Sequence, residues 1–181
     1  MHSLKEWSAV IAALLAGRQR ILLRKGGIGE KRFEVTAEEF LLFPTSAHSH
    51  AGRVRAEHRA LLTAAAADST DAEITVRAAA KVVAALPVEH PEALEDIADL
   101  HIWTAASVRT DRLDFRPKHR LTVLVVQVLP LVAPVHLART ADYAGCRSWV
   151  QLPIEAPALA PPVYGADDLA ALTDRVRRTV G

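Results

Sequence analysis

With one cysteine in 181 residues, Cys146, the chain can form neither an intramolecular disulfide nor a structural zinc site built from several thiolates. That scarcity points to a reducing, cytoplasmic compartment. Aromatic residues are also sparse, at 5%, so Trp7, Trp103 and Trp149 are expected first as core pieces. Nor does one sign of charge dominate: 22 Lys and Arg oppose 21 Asp and Glu, for a formal net charge of +1, which excludes a uniformly basic coat. What the chain does have is apolar content. Half of it is hydrophobic and 24% is charged, the composition of a folded domain rather than a disordered tail, and the length suits a single domain over 1–181.

A clean membrane span is missing too. Leu121 to Ala138 comes nearest, but Gln127, Pro130, Pro134 and His136 interrupt it, and its Val-rich first half reads as a buried strand. No membrane partner is expected. At the start, Glu6 and Trp7 break what would otherwise resemble a signal sequence. Ser3 with Glu6 reads as a capping box, opening a helix that carries Leu4, Trp7, Ile11, Leu14 and Leu15 and stops at Gly17.

Alternation then predicts a strand over Arg18 to Lys25, a turn at Gly26-Gly27-Ile28-Gly29, and returning strands at Phe33 to Val35 and Glu39 to Phe43, closed by Pro44. Val54, His58, Leu61, Leu62 and Ala65 mark a helix within Gly52 to Ala67. The Val and Ile content of Ala72 to Val88 favours strand over helix, although its alanines favour the reverse. Pro91 opens a third helix lined by Leu94, Ile97 and Leu100, a short helix follows over Thr104 to Leu113, and Leu121 to Leu129 is the plainest strand. A Pro-rich stretch over 153–165 leads to a terminal helix, Ala166 to Arg178, bearing Leu169, Leu172 and Val176. The order fits an α+β fold with a mostly antiparallel sheet or partial barrel and flanking helices.

Four clusters could carry chemistry. Arg24, Lys25, Gly26 and Gly27 could cradle a phosphate, because glycines let backbone N–H groups approach an anion and the cations add charge. The alternative is a glycine hairpin flanked by solvated charges. Thr45, Ser46 and His48 follow a strand with Glu39 at its start, a set suited to acid–base work or to a polar ligand, or else a simple strand end. No third ligand stands at a metal spacing beside His48 and His50, and neither metal nor cofactor is expected. Trp103, and Arg147 between Tyr143 and Trp149, could stack a base and hold its phosphate. Basic residues gather early, at Arg18 to Arg32 and Arg53 to Arg59, while acidic ones concentrate at Glu89 to Asp99 and Asp167-Asp168. That asymmetry leaves room for one electropositive face.

Taken in order, Leu4-Lys5-Glu6-Trp7, the Leu-Arg-Lys-Gly-Gly-Ile run ending at Ile28, Glu39-Phe40-Leu41-Leu42-Phe43-Pro44-Thr45 with His48, His101-Ile102-Trp103-Thr104 and Gly145-Cys146-Arg147-Ser148-Trp149 resemble the bacterial family known as domain of unknown function 1802. The likeness covers about Leu4 to Leu152. Its usual Tyr before Pro44 and Gln after His48 are Phe43 and Ser49 here. The resemblance implies a link to restriction–modification, because some members are joined to a nuclease domain; this chain is expected to be the stand-alone accessory part, with a nuclease as partner. The leading expectation is an accessory domain that binds DNA, RNA or a nucleotide-like anion through Arg24, Lys25, Gly26, Gly27, Thr45, His48, Trp103 and Arg147. Two alternatives stand beside it: a phosphoester hydrolase or transferase built on His48 and Glu39 or Glu30, and an interaction module docking through Leu121 to Leu129 or the terminal helix.

Overall fold

A computed structural model describes residues 1–26, 33–46, 51–115, 117–145 and 147–181. Its strands are β1 (His2–Trp7), β2 (Ile21–Lys25), β3 (Glu39–Thr45), β4 (Glu73–Pro87), β5 (Leu121–Ala138) and β6 (Trp149–Gln151). Its helices are α1 (Ser8–Leu15), α2 (Ala60–Ala64), α3 (Ala105–Val108) and α4 (Ala166–Val180). The strands form one curled, mixed sheet in the order β2-β5-β4-β3-β1-β6. Among the described residues, only β1 and β3 pair in parallel; the other pairs are antiparallel. The fold is α+β, a half-barrel with helices packed against it.

Both faces of the sheet are covered, which explains why β3 reads as a continuous apolar run. Phe40 and Leu42 enter the main core with α1, α4 and β5, while Leu41 and Phe43 enter a second cluster with Ile74, Val76, Tyr143 and Val150. That split is the two-residue alternation of a strand buried on both sides. In α4, Leu169, Leu172, Val176 and Val180 form one buried stripe, and Arg175 clamps the helix to Asp99 at 2.6 and 2.8 Å. The Leu121 to Leu129 half of β5 is largely inside the core, so neither of the two proposed docking elements presents its apolar face to solvent.

Several expectations are corrected. The first element is a strand: the Ser3 hydroxyl donates to the Leu41 carbonyl at 2.9 Å, and a Glu6 carboxylate oxygen accepts from the Trp7 N–H, so neither caps a helix three residues away. Parallel pairing with β3 outweighs the helical spacing of Leu4, Trp7 and Ile11. Phe33 to Val35 is not a strand. Pro44 lies inside β3 rather than ending it, opposite Glu6. Gly52 to Ala67 is broken into short 3-10 turns around α2, and residues 91–100 are a 3-10 segment with Pro91 at its first position. β5 runs on through Pro130 and Pro134. Between Ala78↔Pro130 and Val76↔Val135 the ladder sets four residues of β5 against Arg77, and the two prolines sit at the margins of that irregularity, where a missing N–H is tolerated.

The expected stop at Gly17 is present. Gly17 N–H donates to Leu14 O and Arg18 N–H to Ala13 O, the paired bonds of a left-handed helix cap, and Gly17 has φ +69°. The Tyr164 hydroxyl seals the cap by donating to Gly17 O, and a Cβ added at Gly17 would lie 2.8 Å from the Tyr164 hydroxyl oxygen. Gly17→Ala is therefore expected to destabilise the fold by about 1–2 kcal/mol, read from urea unfolding midpoints at constant slope.

His101, 2% exposed, gives a second expectation. Burial, then the nearby Arg55, holds its imidazole down to about pH 4, with Asp99 opposing and Arg112 adding to the depression. The unfolded chain takes up a proton near the ordinary imidazole value and the folded chain does not. Stability should thus fall as pH drops from about 6.5 to 4, by on the order of 3 kcal/mol from this group. Thermal unfolding across that range should be less pH-sensitive in His101→Asn.

Candidate functional site

β1 and β3 run parallel, so their C-terminal ends meet at one edge of the half-barrel. Glu6 and Trp7 from β1 and Thr45 and Ser46 beyond β3 form the base of a cleft of about 520 Å³ there. Thr45 Oγ1 donates to Glu6 O at 3.0 Å, fixing the two strand ends together.

The cleft then draws on distant parts of the chain. Arg24 arrives from β2, separated from β1 by three intervening strands in the sheet order, and its Nη1 donates to Lys5 O and Glu6 Oε2, both at 3.1 Å. The curl of the sheet makes that reach short. Arg139, just past β5, donates to Thr70 O and Ser69 Oγ at 2.6 Å each and so holds the loop before β4 as another wall. Lys5 Nζ donates to Tyr143 O and Gly145 O, anchoring the segment that presents Arg147 and Ser148. Arg112 enters from a π-helical turn, Arg109–Asp114, that continues α3.

Lys5, Arg24, Arg112, Arg139 and Arg147 thus line the cleft against the carboxylates of Glu6 and Asp71. Burial lowers the Arg112 pKa; Glu6 and Asp111 offset this, while Arg24 and Arg53 add to it. The Nε atoms of Arg24 and Arg112 are buried and have no hydrogen-bond partner among the described residues. An anion entering here would relieve that repulsion and supply acceptors. Behind the cleft the aromatics stiffen the cations. Trp7 and Trp103 meet edge to face with centroids 4.8 Å apart, flanked by Arg53 over Trp7 and Arg112 over Trp103 at 6.0 and 5.7 Å.

The residues singled out from sequence divide accordingly. Arg24, Thr45 and Arg147 meet in the cleft. Lys25, on the other face of β2, donates to the carbonyls of Arg112 (2.6 Å), Leu113 (3.3 Å) and Phe115. It caps the π-helical turn and so positions Arg112. Desolvation, and then the Arg112 charge, lower the Lys25 pKa, with Asp114 opposing. Gly26 is buried at the end of β2, and Trp103 stands one layer behind the cleft. Gly27, His48, Glu30 and Cys146 lie outside the described residues. Glu39 pairs with Lys81 at the opposite end of β3 from Thr45, about 20 Å away by strand rise.

Lys5, Glu6, Arg112 and Arg139 were not among the sequence candidates. Lys5 and Glu6 were within reach, since Leu4-Lys5-Glu6-Trp7 carries part of the family resemblance. For Arg112 and Arg139 no local signal exists; only the curl of the sheet brings them in. Among the described residues, no group of three or more His, Cys, Asp or Glu could hold a metal, and no helix is long and apolar enough to cross a membrane.

The Arg24–Glu6 pair, at 13% and 5% side-chain exposure, gives the site its own test. Glu6→Ala leaves a buried guanidinium unpaired and should cost about 3–5 kcal/mol in urea unfolding. Arg24→Met combined with Glu6→Leu should recover a large part of that loss, as a double-mutant cycle will show.

No curated protein matches the chain. Among solved structures, the crystal structure of ASCH from Zymomonas mobilis superposes with a TM-score of 0.48 at 12% identity, covering 83% of this chain and 86% of that one. A serine-to-alanine mutant of that protein gives 0.48 at 9% identity, covering 96% and 94%. Likeness at that level leaves function to be read from the residues of this chain. The model of the family described as Domain of unknown function (DUF1802) matches residues 3–175, from β1 into α4, and the chain belongs to that family.

Proposed function

We propose that the protein binds nucleic acid by its phosphate backbone in the cleft between the ends of β1 and β3. One observation carries this reading: five cations converge on one concavity against two carboxylates, and two of those cations hold buried Nε groups without partners among the described residues. Arg24 and Arg112 are held by their own packing, so a phosphate meets donors that need no reordering. Arg147 and Ser148 sit at the rim, where a strand enters, and Thr45 and Ser46 offer hydroxyls beside the phosphate positions. Trp7 opens α1, whose N-terminus has neither a side-chain cap nor an acidic residue in its first turn, which adds partial positive charge nearby.

In this reading the protein is the recognition part of a DNA defence or processing system, and a partner nuclease supplies cleavage. Binding needs only groups that already line the cleft, whereas the Glu39 version of acid–base hydrolysis needs a carboxylate held at the far end of β3.

The test is fluorescence anisotropy with labelled single- and double-stranded DNA and RNA across a salt series. Binding should weaken log-linearly with salt. Arg147→Ala, exposed and outside the core, should reduce affinity by roughly three- to ten-fold and the salt slope by about one, without moving the melting temperature. Arg112→Gln should reduce affinity further, with a similar change in salt slope. Absence of binding at low salt, or affinity unchanged in both variants, overturns the reading.

A further inference from the structure

A second concavity lies on the other side of the π-helical turn. The 3-10 segment 91–100 and α3 with its π continuation enclose about 420 Å³, within the range of small-molecule sites. Leu94, Ala98, Val108 and Leu113 give it apolar walls. It shares no lining residue with the cationic cleft, although Arg112 and Leu113, adjacent in one turn, face the two sites separately.

One polar group serves this cavity from within the core. His101 lines it and is 2% exposed. Its Nδ1 accepts the Trp103 N–H at 3.2 Å, which places the ring proton on Nε2. Nε2 is buried and has no partner among the described residues. A neutral imidazole whose one remaining donor is unmet in an apolar wall is a group that a ligand acceptor would satisfy, since an unmade buried hydrogen bond is costly. The proposed function leaves this group unused.

The rim narrows the class of ligand. Glu92, Glu95 and Asp114 stand there against Arg109, whose guanidinium already faces Asp114 at 3.8 Å. Three carboxylates against one guanidinium make this rim unfavourable to anions, the reverse of the cleft. We propose that this cavity is a binding site for a small, uncharged, mainly apolar molecule carrying one hydrogen-bond acceptor directed at His101 Nε2. An aromatic heterocycle with a ring nitrogen or a ring carbonyl meets those terms.

Three bicyclic probes of similar size separate the contributions. Isoquinoline is uncharged near neutral pH and has a ring acceptor, indole has a donor but no acceptor, and 2-naphthoate is an anion. Titrated into the full ¹⁵N-labelled chain, isoquinoline should give saturable shifts centred on Leu94, Ala98, Val108 and Leu113. Indole should bind at least several-fold more weakly and 2-naphthoate weakest. In His101→Asn the side-chain oxygen stands where Nδ1 stood and keeps the Trp103 N–H, while the Nε2 donor is gone; isoquinoline should lose about ten-fold in affinity and indole little. Ala105→Phe, placed at the exposed rim, should block both probes with the melting temperature unchanged, and it serves even if His101→Asn fails to fold. The proposal is overturned if isoquinoline shows no saturable binding, if His101→Asn binds it as well as the native chain does, if Ala105→Phe still binds it, or if 2-naphthoate binds tightest.

Discussion

The cleft depends on a buried ion pair between two strands that are not neighbours. Arg24 and Glu6 sit on β2 and β1, with β5, β4 and β3 between them in the sheet, yet their side chains meet at 3.1 Å. A flat sheet would hold these strands about 20 Å apart, at the usual spacing of neighbours. The curl brings them together, and the pair marks how far it goes. Taking both charges out of water carries a desolvation penalty that their attraction only partly repays. Glu6 recovers more by accepting the Trp7 N–H, and Arg24 by donating to Lys5 O as well. What the pair contributes above all is position, since it places a guanidinium at the mouth of the half-barrel.

Much of the arginine that gives the early part of the chain its basic character is spent on the chain's own backbone carbonyls. Arg55 donates to the Ala98 and His101 carbonyls, and Arg59 to those of Ala51 and Val54. Lys25 closes the π-helical turn in the same way. The near-zero net charge therefore says little about the local field. One edge of the half-barrel gathers cations that β2, β5, the π-helical turn and the segment after Tyr143 deliver from separate places. The cavity beyond that turn has an acidic rim. A single turn, held by Lys25, separates two surfaces of opposite character.

The sequence is most legible where one pattern has one structural solution. The Val-rich run of β5, the Val and Ile content of β4 and the apolar stripe of α4 all form the elements that their periodicity implies. It misleads at β1, because Ser3, Leu4, Glu6 and Trp7 satisfy a helix-start pattern as well as a strand, and only the distant partner β3 decides. Prolines mislead in the same way: Pro44 lies within a strand, and Pro130 and Pro134 sit at the margins of a bulge, so none of the three ends its element. At the site, Arg24, Thr45 and Arg147 stood out from their local clusters. Arg112 and Arg139 could not, because their roles come from tertiary curl rather than from spacing.

In the proposed function, guanidinium groups locked around Glu6 receive a phosphate backbone. Arginine side-chain NMR of the full chain, titrated with a short single-stranded oligonucleotide, observes this directly. The guanidinium N–H signals of Arg24 and Arg112 should shift and sharpen together with those of Arg147 as the strand binds. Binding that moves only exposed arginines elsewhere and leaves Arg24 and Arg112 unchanged would contradict that reading.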